Sequence, residues 1–297
     1  MQFLYLSMRN TREWLRKWPT IVVNILVSLL IATMIGMGAW HDMDYIQYAA
    51  NNIKPVMFFT VIHQGVISSL QGCFAFPAER AIMLRERASG AYYVSSYFVS
   101  KSLVDMVFQT IPCIFFSLCM YGTVGLHWTG ARFFTFMTLQ ILCALTVTSV
   151  SAALSCICVT VELTTIVLAC YLEISRLYSA FFVAPITIDK FPHWKWADAI
   201  SYMKYTFVGL CINQYQGETF ECGIDPVTQK SEAKMAMING TMTPTCLFAD
   251  KKYTTGEQVM AVNGYDMYEL GDMVYSLFIF IFLARFIGWM ALRFIKF

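Results

Sequence analysis

Two polar groups interrupt long apolar runs and are the residues best placed to bind or move a substrate. His63 and Gln64 stand together near the middle of one run, and Glu173 and Arg176 stand three residues apart in another. Residues at that spacing share one face of a helix, and ionisable residues inside membrane helices commonly mark substrate or proton pathways. The four residues are therefore candidates for a substrate path. A self-satisfied ion pair and a histidine bonded to a neighbouring helix form the alternative interpretation.

The chain lacks the sequence motifs of several enzyme classes. No Gly-Lys dipeptide occurs, which excludes the phosphate-binding loop that places a lysine directly after a glycine. No Gly-x-Ser-x-Gly or His-Glu-x-x-His motif supports a hydrolase. The four histidines are far apart and the ten cysteines lie mostly in apolar segments, so neither residue type predicts a metal site. We expect no catalytic residue, metal or cofactor in this chain.

The composition is that of a polytopic membrane protein. The chain is 58% hydrophobic and 13% charged, whereas soluble domains carry about 25% charged residues. The net charge of +2 does not suggest nucleic acid as a partner. A membrane helix needs about 20 apolar residues, and the runs of that length are 19–39, 55–76, 103–126, 133–159, 163–186 and 273–295. We predict an all-α fold with six transmembrane helices, in which Arg285 snorkels.

Residues 76–105 form a densely charged stretch between two apolar runs. An ionised side chain at the bilayer centre costs roughly 2.5 to 3.5 kcal/mol on insertion scales, so this segment must leave the membrane. Its charged cluster comprises Glu79, Arg80, Arg85, Glu86 and Arg87.

Basic residues set the predicted orientation. They concentrate at the amino terminus, in the segment 76–105 and at the carboxyl terminus, whereas the short outer loops hold only Lys54 and Arg132. The positive-inside rule therefore places both termini in the cytoplasm. Residues 1–18 are basic, aromatic and amphipathic, which favours a helix lying at the cytoplasmic interface; a plain positive flank before the first span fits equally well.

The long region 187–272 is predicted to lie outside. Its first part is rich in aromatic residues and favours a re-entrant or interfacial helix. Its second part is polar and contains Cys222, Cys246 and a glycosylation sequon at Asn239. An outer location permits a disulfide and a glycan, although two free cysteines and an unused sequon are the alternative. Cys211 is then left over, either buried or cross-linked to a partner chain.

Three segments resemble the membrane domain of the G subfamily of ATP-binding cassette transporters. FPAERAIMLRERASGAYYVSSYFVSK, followed by Asp105 and Pro112, is similar to the first intracellular loop of that family. FVAPITIDKFPHWKWADAISYMKYTFVGLCINQY after the fifth run, and the paired cysteines around a sequon, agree in order. The resemblance covers essentially the whole chain, 1–297, and implies a single ABC-2 type domain in the plasma membrane.

The resemblance also implies roles for particular residues. Loop 77–101 would act as a coupling helix, transmitting the closure of a cytoplasmic ATPase cassette through the five charged residues named above. His63 and Gln64 would face a substrate cavity at a dimer axis, together with Glu173 and Arg176. Phe181 and Phe182 fall where the outward gate is expected, unless they are simply packing residues. The charged pair argues for an amphipathic or polar lipid rather than a purely hydrophobic substrate.

Two departures from the family pattern stand out. Asn213, Gln214 and Tyr215 replace the usual Asn-Glu-Phe, and no ATPase cassette occurs in this sequence. ATP and Mg²⁺ would therefore bind a cassette elsewhere in a longer polypeptide or on a separate chain. A second membrane domain, identical or different, would complete the dimer. The rival functions are a proton-coupled secondary transporter using His63 or Glu173, and a passive channel or scaffold whose charged loop binds anionic lipid.

Overall fold

The computed structural model describes residues 2–39, 47–73, 83, 85–86, 89–90, 92–188, 190, 192–220, 233–238, 241–246 and 255–294. Most of these residues are helical. The helices are α1 Gln2–Arg16, α2 Trp18–Thr33, α3 Gln47–Cys73, α4 Val94–Val124, α5 Gly130–Ile157, α6 Val161–Leu177, α7 Pro185–Ile188, α8 Lys195–Ala199, α9 Tyr202–Tyr215, α10 Gly256–Asn263 and α11 Leu270–Phe294. A π-helical turn, Met34–Ala39, extends α2, and a 3-10 turn, Pro192–Trp194, precedes α8.

Within the described residues, five helices are long and apolar enough to cross a membrane. They are α2 with its π-helical extension, α3, α4, α5 and α11, and they coincide with five of the six predicted runs. The prediction of a polytopic, helical membrane protein is confirmed at this level.

The helix predicted over 163–186 is shorter than expected. Helix α6 begins after Thr160, whose side chain accepts a hydrogen bond from the Leu163 amide, and it ends at Leu177. Ala180 then adopts φ 66°, the left-handed conformation that L-residues rarely enter and that interrupts a right-handed helix. The helix therefore does not continue beyond Leu177 to the short helix α7, and the boundary predicted at residue 186 is wrong.

Helix α5 is the centre of the bundle. It packs against α3, α4, α9 and α11. Of its most apolar 18-residue window 72% is buried, against 17% for α2 and 22% for α11. Phe136, Leu139, Cys143 and Val147 recur at helical spacing and are fully buried on its inner face. The outer helices α2 and α11 keep wide apolar faces, as lipid-facing helices do.

The region predicted to lie outside contains both a buried helix and a hairpin. Every residue of α9 except Tyr205 is buried, and the helix packs on α3, α5 and α11. Helix α9 is therefore part of the packed core of the described residues. Strands β1 Ala233–Ile238 and β2 Thr241–Cys246 pair antiparallel, with Ala233 opposite Cys246. These strands were not predicted from the sequence.

Candidate functional site

Glu173 and Arg176 lie together at the wall of a surface cavity. Arg176 donates a hydrogen bond to the Glu173 carboxylate, forming an ion pair within α6. Both side chains stay exposed, Glu173 by 62% and Arg176 by 45%. The cavity has a volume of about 520 Å³, and its other lining residues are apolar: Phe58, Ile62, Ile174, Leu177 and Phe182. A charged pair thus stands at the edge of an otherwise apolar recess between α3 and α6.

An aromatic cluster closes one side of this cavity, and its members are Phe58, Phe181, Phe182, Phe207 and Tyr265. The rings of Phe58 and Phe181 stack with their centroids 4.2 Å apart. Phe182 meets Phe58 edge to face at 5.3 Å and is 60% exposed. Phe207 and Tyr265 back the cluster from α9 and from the end of α10. The two residues predicted as a gate therefore contact α3 directly, through Phe58.

His63 and Gln64 do not line this cavity. His63 is 8% exposed, and its ring stacks on Phe116 of α4 with the centroids 4.5 Å apart. Gln64 is also buried, and its amide donates to the Ser68 hydroxyl at 3.1 Å. Both residues are packed inside this chain, whereas Phe58 and Ile62 are the α3 residues that reach the charged pair.

The charged stretch 76–105, called the connector from here on, contacts helix α1 through Glu86. Arg9 donates to both carboxylate oxygens of Glu86, at 3.1 and 3.2 Å. The Tyr92 hydroxyl donates to the same carboxylate at 2.7 Å. This hydrogen bond from Tyr92, together with the bond from Arg9, lowers the pKa of Glu86, whereas burial and the bond to Glu86 raise the pKa of Tyr92 to about 12. At neutral pH the acid is charged and the phenol remains a donor.

Arg85 is exposed beside this contact, whereas Glu79, Arg80 and Arg87 lie outside the described residues. A cavity of about 660 Å³ opens between α1 and the connector. Its basic lining comes from Arg9, Arg12 and Arg16, which are spaced along one side of α1. The amphipathic helix and the connector therefore form one charged surface.

Other contacts carry α1 further into the bundle. The Trp14 indole donates to Asp105 of α4 at 2.6 Å, and its ring stacks on Phe108 at 5.3 Å. Deeper in the bundle, Arg285 of α11 donates to the hydroxyls of Ser149 and Ser102, each at 2.9 Å. The snorkelling predicted for Arg285 is therefore wrong, because hydroxyls on two neighbouring helices bind its guanidinium.

Two polar contacts, made by Lys54 of α3 and by Arg132 of α5, were not predicted. The Lys54 ammonium donates to the Asn263 side chain at 2.6 Å. Arg132 pairs with Glu218, and His127 Nδ1 lies 2.9 Å from the same carboxylate. Lys54 and Arg132 are the two basic residues that the sequence places in the short outer loops. The one sequence signal for these contacts was that Lys54 and Arg132 each stand alone as a basic residue between predicted spans.

The predicted outer cysteines and sequon are described only in part. Cys222 and Asn239 lie outside the described residues, and Cys246 ends strand β2. Cys211 is fully buried within α9. Asn213 begins the triplet that differs from the family's usual Asn-Glu-Phe, and its side-chain amide donates a hydrogen bond to the Arg132 carbonyl at 3.0 Å. That triplet thus helps to anchor the start of α5.

Comparison with known proteins gives a family and several relatives. The profile of the ABC-2 type transporter family matches residues 1–215. The mouse broad substrate specificity ATP-binding cassette transporter ABCG2 is 27% identical over 77% of this chain, and the rat protein of that name is 26% identical over 99%. ABC transporter G family member 2 of Dictyostelium discoideum is 24% identical over 99% of this chain. This chain spans 34%, 42% and 22% of those three relatives, respectively.

Proposed function

Since this chain belongs to the ABC-2 type transporter family and is homologous to G-subfamily transporters, we propose that it is the permease part of an ATP-driven exporter of lipid-like or amphipathic small molecules. The observation that carries this proposal is the exposed pair Glu173 and Arg176 beside the aromatic cluster. The pair supplies polar contacts and the surrounding side chains supply apolar ones. An amphipathic molecule needs both kinds of contact.

The exposure of the charged pair argues for an aqueous cavity. Helix α6 is otherwise mostly apolar, and charged side chains in a membrane helix almost always face a bundle interior or a water-filled space. In this chain Glu173 and Arg176 are turned away from the core, because the buried residues of α6 are Thr164, Leu168 and Ser175. A second membrane domain, identical or homologous, would cover that side and enclose the cavity.

The size of the cavity fits a small molecule. Ligand pockets commonly have volumes of about 300 to 1,000 Å³ and apolar walls with a few placed polar groups. The recess of about 520 Å³ with one ion pair has this character. The mouse and rat relatives of this chain carry the name "broad substrate specificity" transporter. Apolar walls of this kind suit a site that accepts several amphipathic compounds.

We propose that the connector passes the ATP-driven motion of a cassette to the helices. Glu86 is bound to Arg9 of α1 and to Tyr92, which comes just before α4. A push on the connector would therefore move α1 and the start of α4 together. Glu79, Arg80, Arg85 and Arg87 would add contacts to the cassette. ATP and Mg²⁺ would bind to that cassette, in the same polypeptide or on a partner chain.

The remaining features of the proposal concern topology and the outer region. Residues 1–297 would form one membrane domain with six spans and with both termini in the cytoplasm, at the plasma membrane. Asn239 would carry a glycan, and Cys222 would form a disulfide with Cys246. Non-reducing peptide mapping tests the disulfide: a linked peptide pair supports it, and free thiols at both cysteines contradict it.

The experiment that tests the function uses proteoliposomes containing this domain together with its ATPase cassette. A fluorescent lysophospholipid should leave the cytoplasmic-side leaflet only when ATP and Mg²⁺ are supplied. Movement driven by a pH gradient without ATP would instead indicate the proton-coupled transporter. Equilibration without either energy source, unaffected by Glu86→Arg, would indicate the passive channel or scaffold.

A further inference from the structure

Lys54 occupies an unusual position next to the aromatic cluster. Its Nζ atom lies 5.8 Å from the ring centroid of Phe181 and 5.7 Å from that of Tyr265. Its Nζ atom donates a hydrogen bond to Asn263 Oδ1, at 2.6 Å. Among the described residues no carboxylate pairs with this ammonium. Two ring faces and one amide oxygen therefore compensate its charge, which is a cation–π arrangement.

The partner Asn263 is fixed by its own helix. It is the last residue of α10, and its Nδ2 atom donates to the Val259 carbonyl at 2.7 Å. This bond settles the orientation of the side chain, so that Oδ1 is presented to Lys54. Gly264 follows with φ 74°, and a Cβ atom there would lie 2.5 Å from Ile186. The end of α10 thus sits tightly against helix α7.

The residues just after α10 also contact Ala180, which directly precedes Phe181 and Phe182. The Tyr265 hydroxyl donates to the Ala180 carbonyl at 3.0 Å. Ala180 has the left-handed φ of 66°, a conformation that the surrounding structure must maintain. Lys54, a residue of α3, therefore contacts the end of α10 and the Phe181 ring at one point.

We propose that Lys54 is a positioning residue that fastens α10 to the aromatic cluster and holds Phe181 against Phe58. The inference rests on the proposed transport function in one respect, the expectation that Phe181 and Phe182 form the outward gate. Loss of the Lys54 contacts would free Phe181 from the end of α10. Phe58 would stay in place, because it is part of α3. The outer region beyond α9 then controls how firmly the cluster is closed.

The chemistry of lysine suits this position. Its ammonium is compact and carries three donors, so it can bind an amide oxygen while lying near two rings. Methionine has a similar unbranched shape but neither the charge nor the donors. Arginine keeps the charge and donors in a wider, planar form. The substitutions Lys54→Met and Lys54→Arg therefore separate packing from charge.

Hydrogen–deuterium exchange of the chain in lipid nanodiscs tests the proposal without nucleotide, cassette or substrate. In Lys54→Met, the peptide covering 178–188 should exchange about tenfold faster than in the unaltered chain, which corresponds to about 1.4 kcal/mol. Asn263→Leu should give the same change, and Lys54→Arg should restore most of the protection. Lys190→Met is the matched control, because Lys190 is exposed; it should leave this peptide unchanged.

A second peptide keeps the interpretation specific. Residues 139–156 lie in the buried helix α5, and their exchange should not change in any variant. Faster exchange in both peptides would mean general destabilisation and would overturn the proposal, as would unchanged exchange of 178–188 in Lys54→Met and Asn263→Leu. Loss of transport in the proteoliposome assay does not affect this readout, so failure of the positioning role and failure of the transport function are distinguishable.

Discussion

The hydroxyl of Tyr265 donates a hydrogen bond to the carbonyl oxygen of Ala180, 85 residues earlier in the chain, with 3.0 Å between the two oxygens. Tyr265 comes directly after Gly264, and Ala180 directly before the Phe181 and Phe182 pair. The bond therefore joins the segment that follows α10 to the residue that precedes Phe181. It also lies at the residue with the strained backbone, where an alternative conformation would otherwise compete.

Tyr265→Phe should lower stability without changing the packing of the ring. A buried hydrogen bond contributes about 1 kcal/mol, and leaving the Ala180 carbonyl without its partner adds to the loss. We expect Tm to fall by at least about 2 °C for a domain of this size. The matched control is Tyr275→Phe, because Tyr275 is exposed on α11. An equal shift in both variants would contradict the assigned contact.

Charge reversal at Glu86 should uncouple ATP from transport. Glu86→Arg would set two cations against each other in place of the Glu86 contact with Arg9. Transport in the proteoliposome assay should be lost while the amount of folded protein stays the same. The double variant Arg9→Glu with Glu86→Arg should recover part of the activity.

The control for this reversal is Lys17→Glu. Lys17 directly follows α1, pairs with Glu13 of that helix and is exposed. If Lys17→Glu impairs transport as much as Glu86→Arg, the effect belongs to the general charge of α1 and not to its contact with the connector. Unchanged transport in Glu86→Arg would refute the coupling role.

Neutralising Glu173 or Arg176 should alter substrate choice more than protein abundance. With Glu173→Gln, the remaining arginine should favour amphiphiles with anionic head groups; with Arg176→Met, the remaining acid should favour cationic ones. Competition between head groups on a common acyl chain measures the preference, with a shift of about tenfold expected for an interaction of 1.4 kcal/mol. Cys170→Ser, at an exposed position on the same helix, is the control. An equal loss of protein in both charge variants would favour a structural ion pair.

The contact between Arg9 and Glu86 should persist in mild acid. The pKa of Glu86 is lowered from its ordinary value of 4.5, chiefly by the Tyr92 hydrogen bond. A lowered carboxyl pKa gives stability that is present above the unfolded value and is lost as the pH falls through the folded value. The difference in Tm between the unaltered chain and Glu86→Gln should therefore be constant from pH 8 to about pH 5 and shrink below pH 4.5. Disappearance of the difference near pH 6 would contradict this assignment.

Much of the helical framework could be predicted because its signal is local. Apolar runs near 20 residues mark α2, α3, α4, α5 and α11 irrespective of their neighbours. The pairing of Glu173 with Arg176 follows from helical spacing, since both residues lie on one face of α6.

Other features could not be predicted because they depend on contacts between residues distant in sequence. No glycine lies near Ala180, and the apolar run continues past it, so the sequence gives no sign that α6 ends there. The contact with Tyr265 is visible only in the folded chain. Lys54 and Asn263 are 209 residues apart. His63 and Gln64 have the right residue types for a substrate path, but their direction within the bundle is set by the packing of α3 on its neighbours.

The two hydrogen bonds of Arg285 fix the rotation of α11 about its own axis. Each residue of an α-helix advances the side chains by about 100°. One residue inserted between Asp272 and Arg285 would therefore turn the guanidinium away from both Ser149 and Ser102. An insertion after Arg285 would leave both bonds in place. The last membrane helix thus carries an angular register that tolerates length changes on one side of a single arginine and rejects them on the other.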